Sequence, residues 1–346
     1  MKVINPCAWR VGQLPSGVLD TICDVSGVTV GHATLDDQSI QTGVTVLRVH
    51  AGSHYLHKVP AAATVINGFG KSVGLMQVQE LGVLETPIAL TNTFSVPAVS
   101  QAQIAQAIAL HPEIGRTWPT VNPLVFECND GYLNDIQAMR VNATHYQQAF
   151  DCAAAGFEQG AIGAGRGMSC FGLKGGIGSA SRQVEIDAGC HTVGALVLSN
   201  FGKQKNLTVL GQPVGQQLVS ASAEPQPDAE KGSIIIVLAT DAPVDARQLR
   251  RLSVRAAAGL ARTGSYFGHG SGDIALAFST AYTIPASHAE PMPAVKLLHE
   301  TRLEALFEAV ADATEQAILS SLWYAESVVG RAGHHRSSLR SISPVR

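Results

Sequence analysis

Charged residues are scarce in this chain. Only 15% of its 346 residues are Asp, Glu, Lys or Arg, and the formal net charge is −3. This balance gives no electrostatic reason to expect a nucleic acid or an anionic membrane as partner, because both favour strongly basic surfaces. Apolar residues make up 46% of the chain. That fraction suits a large core and a modest exposed surface, a composition that is often a sign of assembly.

Long apolar runs and paired cysteines are also absent. No stretch approaches the roughly eighteen continuous apolar residues of a membrane span, and the segment Met1–Pro6 lacks the apolar core of a signal peptide. The six cysteines form no Cys-x-x-Cys pair, so we expect reduced thiols in a cytoplasmic protein. No His-Glu-x-x-His pattern occurs, and His334-His335 stand near the chain end. We therefore predict no metal site and no cofactor.

Two nucleotide-binding motifs fail on spacing. The segment Gly70–Ser72 resembles the end of a phosphate-binding loop, but that motif needs a glycine where Val65 stands. The pair Gly163 and Gly165 begins a dinucleotide fingerprint whose third glycine is replaced by Met168. The sequence therefore gives no support for a nucleotide site.

The most informative stretch begins at Ser233. The polar segment 222–231 ends at Gly232, and an almost wholly apolar, β-branched run follows from Ser233 to Thr240. Such runs are typical of buried strands, so a serine stands where an accessible loop enters a core strand. A cut between Gly232 and Ser233 would give this serine a free α-amine beside its hydroxyl, which is a known way to activate a weak alcohol. The alternative interpretation is an ordinary serine at the boundary between a loop and a strand.

A glycine-rich turn presents a second serine and a carboxylate. Ser271 and Asp273 are two positions apart at the start of another apolar run. Side chains at i and i+2 of a strand share a face, so we predict a hydroxyl–carboxylate pair. A nucleophile elbow at Ser271 is excluded, because His269 stands where that motif needs glycine. His269 lies near the predicted site in sequence, although turn histidines are commonly only solvated.

Polar groups are concentrated upstream, between Glu127 and Asp135, where nine residues hold three carboxylates, two amides and the phenol of Tyr132. Each of these groups also has a structural interpretation. Tyr132 would then be a buried aromatic residue, Glu127 would pair with a surface cation, and Asn200 would belong to a plain turn after a strand. The residues alone leave these alternatives open.

Periodicity predicts a mixed α/β chain. The predicted strands are 28–30, 44–49, 62–66, 88–92, 121–126, 192–199, 233–240 and 274–280, and the predicted helices are 99–110, 146–159, 246–262 and 300–328. No linker or internal repeat is evident, so residues 1–346 are predicted to form a single domain. The segment 218–231 and the basic tail 334–346 are predicted to be flexible, and the tail to carry no site.

Taken in order along the chain, these motifs resemble the L-aminopeptidase/D-Ala-esterase/amidase family, which includes the β-peptidyl aminopeptidases. The resemblance extends from about Gly17 to about Thr283. The segments that carry it are Val30–Thr34, Asn67–Lys71, Glu85–Ile88, Thr91–Thr93, Asn129–Asp135, Gly175–Gly178, Gly232–Ile236 and Ser271–Asp273.

The resemblance implies self-processing. Members of the family are made as precursors that cut themselves before a serine, which becomes the N-terminal nucleophile of the second chain. Ser233 matches that serine, so a single catalytic domain is expected to be cut between Gly232 and Ser233 into residues 1–232 and 233–346. Ser271 and Asp273 resemble the second serine and the acidic residue of the family's catalytic site.

The resemblance also implies roles for three residues of the first chain. Tyr132 and Asn200 look like the groups that stabilise the transition state, and Asn200 is the looser match. Glu127 looks like the carboxylate that holds the free amine of the substrate. Asp130 is the next candidate for that role.

The fold implied by the resemblance is α/β, a four-layer αββα sandwich like that of N-terminal nucleophile hydrolases with different connectivity. The implied protein is a homo-oligomer, a tetramer or larger, that releases small N-terminal residues (L-amino acid, D-Ala or β-amino acid) from peptides, amides and esters. One alternative is an acyltransferase like the ornithine acetyltransferases, but those enzymes use threonine, and Ser233 argues against them. The other alternative is an uncut oligomeric binding protein, which a denaturing gel would distinguish.

Overall fold

The computed structural model describes residues 10–187, 189–221 and 232–342. The strands are β1 Thr29–Asp37, β2 Ile40–Arg48, β3 His57–Gly68, β4 Val83–Leu84, β5 Ile88–Asn92, β6 Leu124–Cys128, β7 Ser169–Cys170, β8 Leu173–Lys174, β9 Gly176–Ile186, β10 Gly189–Asn200, β11 Ser233–Thr240, β12 Gly272–Ser279, β13 Ile284–Pro285, β14 Val328–Val329 and β15 His335–Arg336. The α-helices are α1 Leu75–Leu81, α2 Val96–Leu110, α3 Ala143–Asp151, α4 Val214–Ala221, α5 Ala246–Arg262, α6 Glu304–Tyr324 and α7 Leu339–Ile342.

These elements form four layers. A four-stranded sheet has the order β1-β2-β5-β6, and a larger sheet has the order β13-β3-β12-β11-β10-β9, with β4 paired to β3. Helices α2 and α3 pack on the smaller sheet, and α5 and α6 pack on the larger one. The two sheets face each other across a buried apolar core. The αββα sandwich expected from the sequence is therefore confirmed.

Strand β11 shows how the sequence builds these layers. Successive side chains of a strand point to opposite faces, and β11 is apolar on both. Ile234 and Ile236 belong to the core under the helices, while Ile235 and Val237 belong to the core between the sheets. Ser233 has the same parity as Ile235 and Val237, so its side chain lies on the face of β11 that meets the smaller sheet.

The neighbours of β11 come from distant parts of the chain. It pairs antiparallel with β10, where Asn200 is opposite Ser233, and parallel with β12. Strand β12 pairs in turn with β3, where Asp273 is opposite Asn67. The ends of these strands therefore gather Ser233, Asp273 and Asn200 at one edge of the sheet.

Local signals set most helix boundaries. The side chain of Asp245 accepts a hydrogen bond from Gln248 N at 2.7 Å, and the Gln248 side chain accepts one from Asp245 N at 3.1 Å. This capping box starts α5 at the residue predicted from the sequence. The predicted helix 146–159 is wrong in its second half, because α3 ends at Asp151. Beyond it, Ala154 exchanges two backbone hydrogen bonds with Val30 of β1, and this pairing is incompatible with a helix.

The tail is predicted to be flexible, but the part of it that the structure describes is ordered. Strand β15 pairs antiparallel with β14, and Leu339 of α7 is buried in the core under the helices. Lys174 N donates a 2.9 Å hydrogen bond to the carbonyl of Ser337. This segment is therefore held by backbone pairing and by an apolar anchor.

The two segments predicted to be flexible lie partly outside the described residues. The segment 218–231 begins within α4, and its residues 222–231 lie outside the described residues, as do residues 343–346 of the tail. Among the helices of the described ranges, none is long and apolar enough to cross a membrane.

Candidate active site

Ser233 lies at the edge of a large cavity. Its side chain is buried, and its Oγ accepts a hydrogen bond from Gly272 N at 3.0 Å. Gly232, which precedes Ser233, is packed tightly against β10, because a Cβ at this position would lie 2.0 Å from the carbonyl oxygen of Asn200. Glycine is therefore the residue that fits before this serine.

Ser271 and Asp273 form the predicted pair beside Ser233. Ser271 Oγ donates a hydrogen bond to Asp273 Oδ1, and Ile234 N donates to the same oxygen at 3.2 Å. Both side chains are buried. The Asp273 carboxylate thus contacts Ser271 and the backbone of Ile234. The Ser233 and Ser271 hydroxyls and this carboxylate therefore lie at the same end of the sheet.

Asn67 at the end of β3 holds the turn before β12. Its Nδ2 donates hydrogen bonds to the carbonyls of Gly268 and Ser271, and Phe69 N donates to the Ser271 carbonyl at 3.2 Å. His269 of this turn lines the cavity. Asn67 has no role that the sequence predicts, because its partners are about 200 positions away.

Glu127 is a buried carboxylate that lines the same cavity. Its side chain is only 2% exposed. Oε1 accepts a 2.8 Å hydrogen bond from Lys71 N, and Oε2 accepts one from Thr93 Oγ1. Within the described ranges, no lysine, arginine or histidine side chain forms an ion pair with Glu127. A buried carboxylate without a cationic partner is well suited to receive a cation from a ligand.

Asn200 lies opposite Ser233 and is fixed through both ends of its amide. Its Oδ1 accepts a hydrogen bond from Ser169 N at 2.8 Å, and its Nδ2 donates one to the carbonyl of Asn129 at 2.9 Å. The Nδ2 group has a second hydrogen. Asn200 lines the cavity together with Asn129 and Ser169, so it belongs to the wall rather than to a plain solvated turn.

Tyr132 is also in the cavity wall and is 38% exposed, which excludes a purely buried aromatic residue. Its ring stacks on His334, with centroids 4.6 Å apart, and the guanidinium of Arg336 lies 3.6 Å from the ring centroid. Both partners come from the segment that the sequence analysis treated as a tail. No local pattern could have linked them to Tyr132, because the link spans about 200 positions.

The cavity has a volume of about 1240 Å³. Its walls come from both sheets and from the C-terminal segment. Of the residues predicted from the sequence, it brings together Glu127, Tyr132, Asn200, Gly232 and Ser233. Asp273 stands behind Ser233, where it accepts a hydrogen bond from Ile234 N, and Ser271 is bonded to Asp273. Lining residues without a predicted role include Phe69, Lys71, Thr93, Phe94, Ser169, Lys203, Tyr266 and Arg336.

Asp130, the second candidate for binding an amine, does not line the cavity. It is fully buried, and its Oδ1 accepts a 3.0 Å hydrogen bond from Asn134 Nδ2. Burial raises the pKa of Asp130 from 3.8 to about 7. Its position therefore points to a structural role behind the segment that carries Glu127 and Tyr132.

This raised pKa predicts a pH-dependent stability. Between about pH 4 and pH 7 the folded state binds more protons than the unfolded state, so the free energy of unfolding falls as pH rises through this window. At about 1.4 kcal/mol per pH unit, the loss reaches about 4 kcal/mol. Asp130→Asn cannot ionise, so its melting temperature relative to wild type should rise between about pH 5 and pH 8. Asp151→Asn, at an exposed position, is the control, and equal pH slopes for Asp130→Asn and wild type would contradict the prediction.

Within the described ranges, no group of three or more His, Cys, Asp or Glu side chains is placed to hold a metal ion. The cavity presents a buried serine at the end of a central strand and a buried carboxylate without a cationic partner among the described residues, and a serine–aspartate pair stands behind that serine. These groups in a four-layer α/β fold are the kinds of groups that hydrolases of the serine type use.

Comparison with known proteins gives the family. Residues 20–336 match the model of peptidase family S58, and the chain belongs to this family. It is 37% identical over 342 residues to the beta-peptidyl aminopeptidase BapA of Sphingosinicella microcystinivorans, covering 92% of this chain and 85% of that one. The resemblance found in the sequence motifs is therefore confirmed, and the protein is a peptidase.

Solved structures agree with this assignment. The PH0078 protein of Pyrococcus horikoshii OT3 superposes with a TM-score of 0.92 at 46% identity, covering 96% of this chain and 94% of that one. The L-aminopeptidase D-Ala-esterase/amidase of Ochrobactrum anthropi superposes with a TM-score of 0.89 at 32% identity, covering 96% of each chain. That protein is described as a prototype for the serine aminopeptidases and a variant of the Ntn hydrolase fold.

Proposed function

We propose that this peptidase is a self-processing serine aminopeptidase and amidase, cut between Gly232 and Ser233, with Ser233 as its N-terminal nucleophile. The observation that carries the proposal is that Ser233 and the buried Glu127 line one cavity. One group attacks an acyl carbon, and the other selects a substrate with a free amine.

The first stage is processing of the precursor. Ser233 Oγ attacks the Gly232 carbonyl, so the Gly232–Ser233 amide bond breaks, an ester forms and the Ser233 nitrogen becomes an amine. Water then opens the ester, which leaves a carboxylate on Gly232 and restores the hydroxyl. The lack of a side chain at Gly232 keeps this carbonyl approachable.

The second stage is hydrolysis by the mature protein. An unperturbed α-amine has a pKa of roughly 7.7–8.0, so a useful fraction is neutral near pH 7. This amine, or Ser271, accepts the proton of Ser233 Oγ as it attacks the substrate. Asp273 orients the Ser271 hydroxyl and offsets developing positive charge. The amine portion of the substrate takes up this proton and leaves, so that the acyl group remains on Ser233 as an ester. Water then hydrolyses the ester and restores the Ser233 hydroxyl.

The oxyanion needs donors on the other side of the acyl carbon. Gly272 N already donates to Ser233 Oγ. Asn200, whose Nδ2 keeps a second hydrogen, and Tyr132 line the same cavity. Among the described residues, none makes a hydrogen bond to the Tyr132 hydroxyl. We assign Asn200 and Tyr132 to this role, and assign no cofactor.

The substrates of this proposal are small peptides, amides and esters with a free amine, whose N-terminal residue is an L-amino acid, D-Ala or a β-amino acid. The beta-peptidyl aminopeptidase and the L-aminopeptidase D-Ala-esterase/amidase among its relatives support this range. A panel of aminoacyl p-nitroanilides would determine which acyl group is preferred.

Assembly and location belong to the same proposal. We expect a cytoplasmic homo-oligomer, a tetramer or larger, without nucleic-acid or membrane partners. Support comes from the low charged fraction and from exposed apolar side chains such as Met76, Leu81 and Met139. Light scattering after size-exclusion chromatography measures the assembly directly.

Processing is tested by a denaturing gel followed by N-terminal sequencing. Active protein should give two bands, and the smaller one should begin Ser-Ile-Ile-Ile. A single full-length band in active protein would contradict cleavage at this bond. A different N-terminal sequence in the smaller band would show that the chain is cut at another bond.

The Ser271–Asp273 pair yields a further prediction. Ser271→Ala and Asp273→Asn should lower kcat by about 10²–10⁴-fold on matured protein, because the attacking hydroxyl loses its proton-relay partner. Steady-state kinetics on an aminoacyl p-nitroanilide measures the effect, after sequencing confirms that each variant is cut. Ser279→Ala is the matched control, since Ser279 is a buried serine at the far end of β12 whose Oγ donates to the carbonyl of Ala242 instead. Wild-type kcat in cut Ser271→Ala would remove Ser271 from the mechanism.

A further inference from the structure

A buried lysine lies behind the wall of the cavity, in the glycine-rich stretch 163–178. Lys174 is fully buried and is paired with Ser169 in the short β7–β8 hairpin. Phe171 and Gly172 form the turn of this hairpin and have φ angles of 51° and 71°, as a tight two-residue turn requires. The hairpin therefore places Lys174 opposite Ser169, which lines the cavity.

The amino group of Lys174 has three acceptors. Its Nζ donates hydrogen bonds of 2.8 Å to the carbonyl oxygens of Gly165, Met168 and Gly175. Burial lowers the pKa of Lys174 below its ordinary value, but a neutral amine has only two N–H donors for these three oxygens. The charged form is therefore the one in which each carbonyl oxygen receives a hydrogen.

One of these carbonyls belongs to the peptide group that holds Asn200. The Met168 carbonyl and the Ser169 N–H are the two ends of a single planar peptide group, and Ser169 N donates to Asn200 Oδ1 at 2.8 Å. Gly175 N also donates to the Met168 carbonyl, at 3.1 Å. Lys174 therefore holds one end of a rigid unit whose other end holds the Asn200 side chain.

The orientation of the Asn200 amide follows from its two backbone partners. Oδ1 accepts from the Ser169 N–H, and Nδ2 donates to the carbonyl of Asn129 at 2.9 Å. Asn200 is directly opposite Ser233 in the β10–β11 ladder, where the side chains of paired residues share a face and their Cβ atoms are about 4.5–5.5 Å apart. The amide held by this peptide group is therefore a close neighbour of the nucleophile side chain.

We propose that Lys174 is a positioning residue whose positive charge reaches the oxyanion through two amides, the 168–169 peptide group and the Asn200 side chain. Lys174 does not line the cavity, so it acts without touching the substrate. An ammonium on a carbonyl oxygen polarises the whole amide and makes its N–H a stronger donor, and hydrogen bonds in a chain strengthen one another in this way. The inference rests on the proposed function, because it takes Asn200 as an oxyanion donor.

The test is a double-mutant cycle with Lys174→Met and Asn200→Ala. Met removes the charge and all three donors but keeps an unbranched chain. On cut protein, Asn200→Ala should lower kcat about 10²–10³-fold, as loss of an oxyanion donor does, and Lys174→Met about 10- to 100-fold, each with KM within about 3-fold of wild type. In the Asn200→Ala background, Lys174→Met should change kcat by less than about 3-fold, because the amide through which it acts is gone.

Two further variants separate this role from support of the fold. Lys174→Gln keeps two N–H donors and loses the charge, so it should fold where Lys174→Met does not and still lower kcat. Arg182→Met is the matched control, since Arg182 is also a buried cation that donates to backbone carbonyls, those of Val11 and Ser181, and does not line the cavity. It should lower the melting temperature and leave kcat unchanged.

The outcomes of the cycle are distinct. If Lys174→Met lowered kcat by the same factor with and without the Asn200 amide, the inference would be overturned, and Lys174 would support only the fold. Wild-type kcat in Asn200→Ala would instead contradict the role proposed for Asn200 itself.

A second measurement depends neither on turnover nor on processing. In the Ser233→Ala chain, which lacks the attacking hydroxyl, NMR of isotope-labelled asparagine side chains records the Nδ2 protons of Asn200, assigned by their loss in Asn200→Ala. Lys174→Met and Lys174→Gln should move these resonances upfield, because the amide is less polarised, and Arg182→Met should leave them in place. Unmoved resonances in both Lys174 variants would overturn the inference.

Discussion

Ser233→Ala is expected to give a folded, uncut and inactive chain. In the proposed mechanism the substitution removes the hydroxyl that attacks both the Gly232 carbonyl and the substrate, so processing and hydrolysis should be lost together. The cost to folding should be small, about 1 kcal/mol, since one hydrogen bond from Gly272 N is lost. The measurements are a denaturing gel, a thermal melt and hydrolysis of an aminoacyl p-nitroanilide.

Ser233→Cys is the informative companion. A thiol can make the same acyl shift, so this variant should still be cut, at a changed rate. It separates the need for a nucleophile from the need for a serine. Near-wild-type hydrolysis by Ser233→Ala would show that another residue is the nucleophile, and Ser271 would then be the next candidate.

Glu127→Gln is expected to weaken kcat/KM for free-amine substrates by about 2–4 kcal/mol, or about 30- to 1,000-fold. The reason is the loss of a charge-assisted contact between a buried carboxylate and the substrate ammonium. N-acetylation of a good substrate should be equally harmful to the wild-type protein. A des-amino ester such as propionyl p-nitrophenyl ester should lose far less in the variant.

Glu85→Gln is the control for this substitution. Glu85 is also buried, but it pairs with Lys58 at 2.6 Å and does not line the cavity. Its replacement should leave the ratio of free-amine to acetylated substrate unchanged. If Glu127→Gln reduced the amine, N-acetyl and ester substrates by the same factor, Glu127 would support the fold instead of binding the amine.

Local signals account for the elements that could be predicted. The strand predicted at 233–240 and the helix predicted at 246–262 have the observed bounds. The first is an unbroken β-branched run, and the second has its capping box at Asp245. The pair Ser271 and Asp273 was also predictable, because residues i and i+2 of extended chain at the start of a strand share a face whatever the strand packs against.

Non-local contacts account for what the sequence did not show. His334 and Arg336 were assigned to a flexible tail, because their charges and the lack of an apolar run resemble solvated chain. They are ordered by β14 and by the ring of Tyr132, partners that no local pattern reveals. The end of α3 is a similar case, since Ala154 leaves the helix to pair with Val30.

The order of strands in the larger sheet has a consequence for the life of the molecule after cleavage before Ser233. Strands β11 and β12 would belong to the second chain, yet they lie between β3 and β10 of the first. Both outer edges of the inserted pair are thus bonded to the other chain, and the interleaved halves cannot part without breaking the sheet. A precursor folds as one chain, whereas an unfolded mature molecule must bring two chains together at a concentration-dependent rate. Maturation would therefore turn a refoldable chain into one whose recovery after denaturation depends on its concentration.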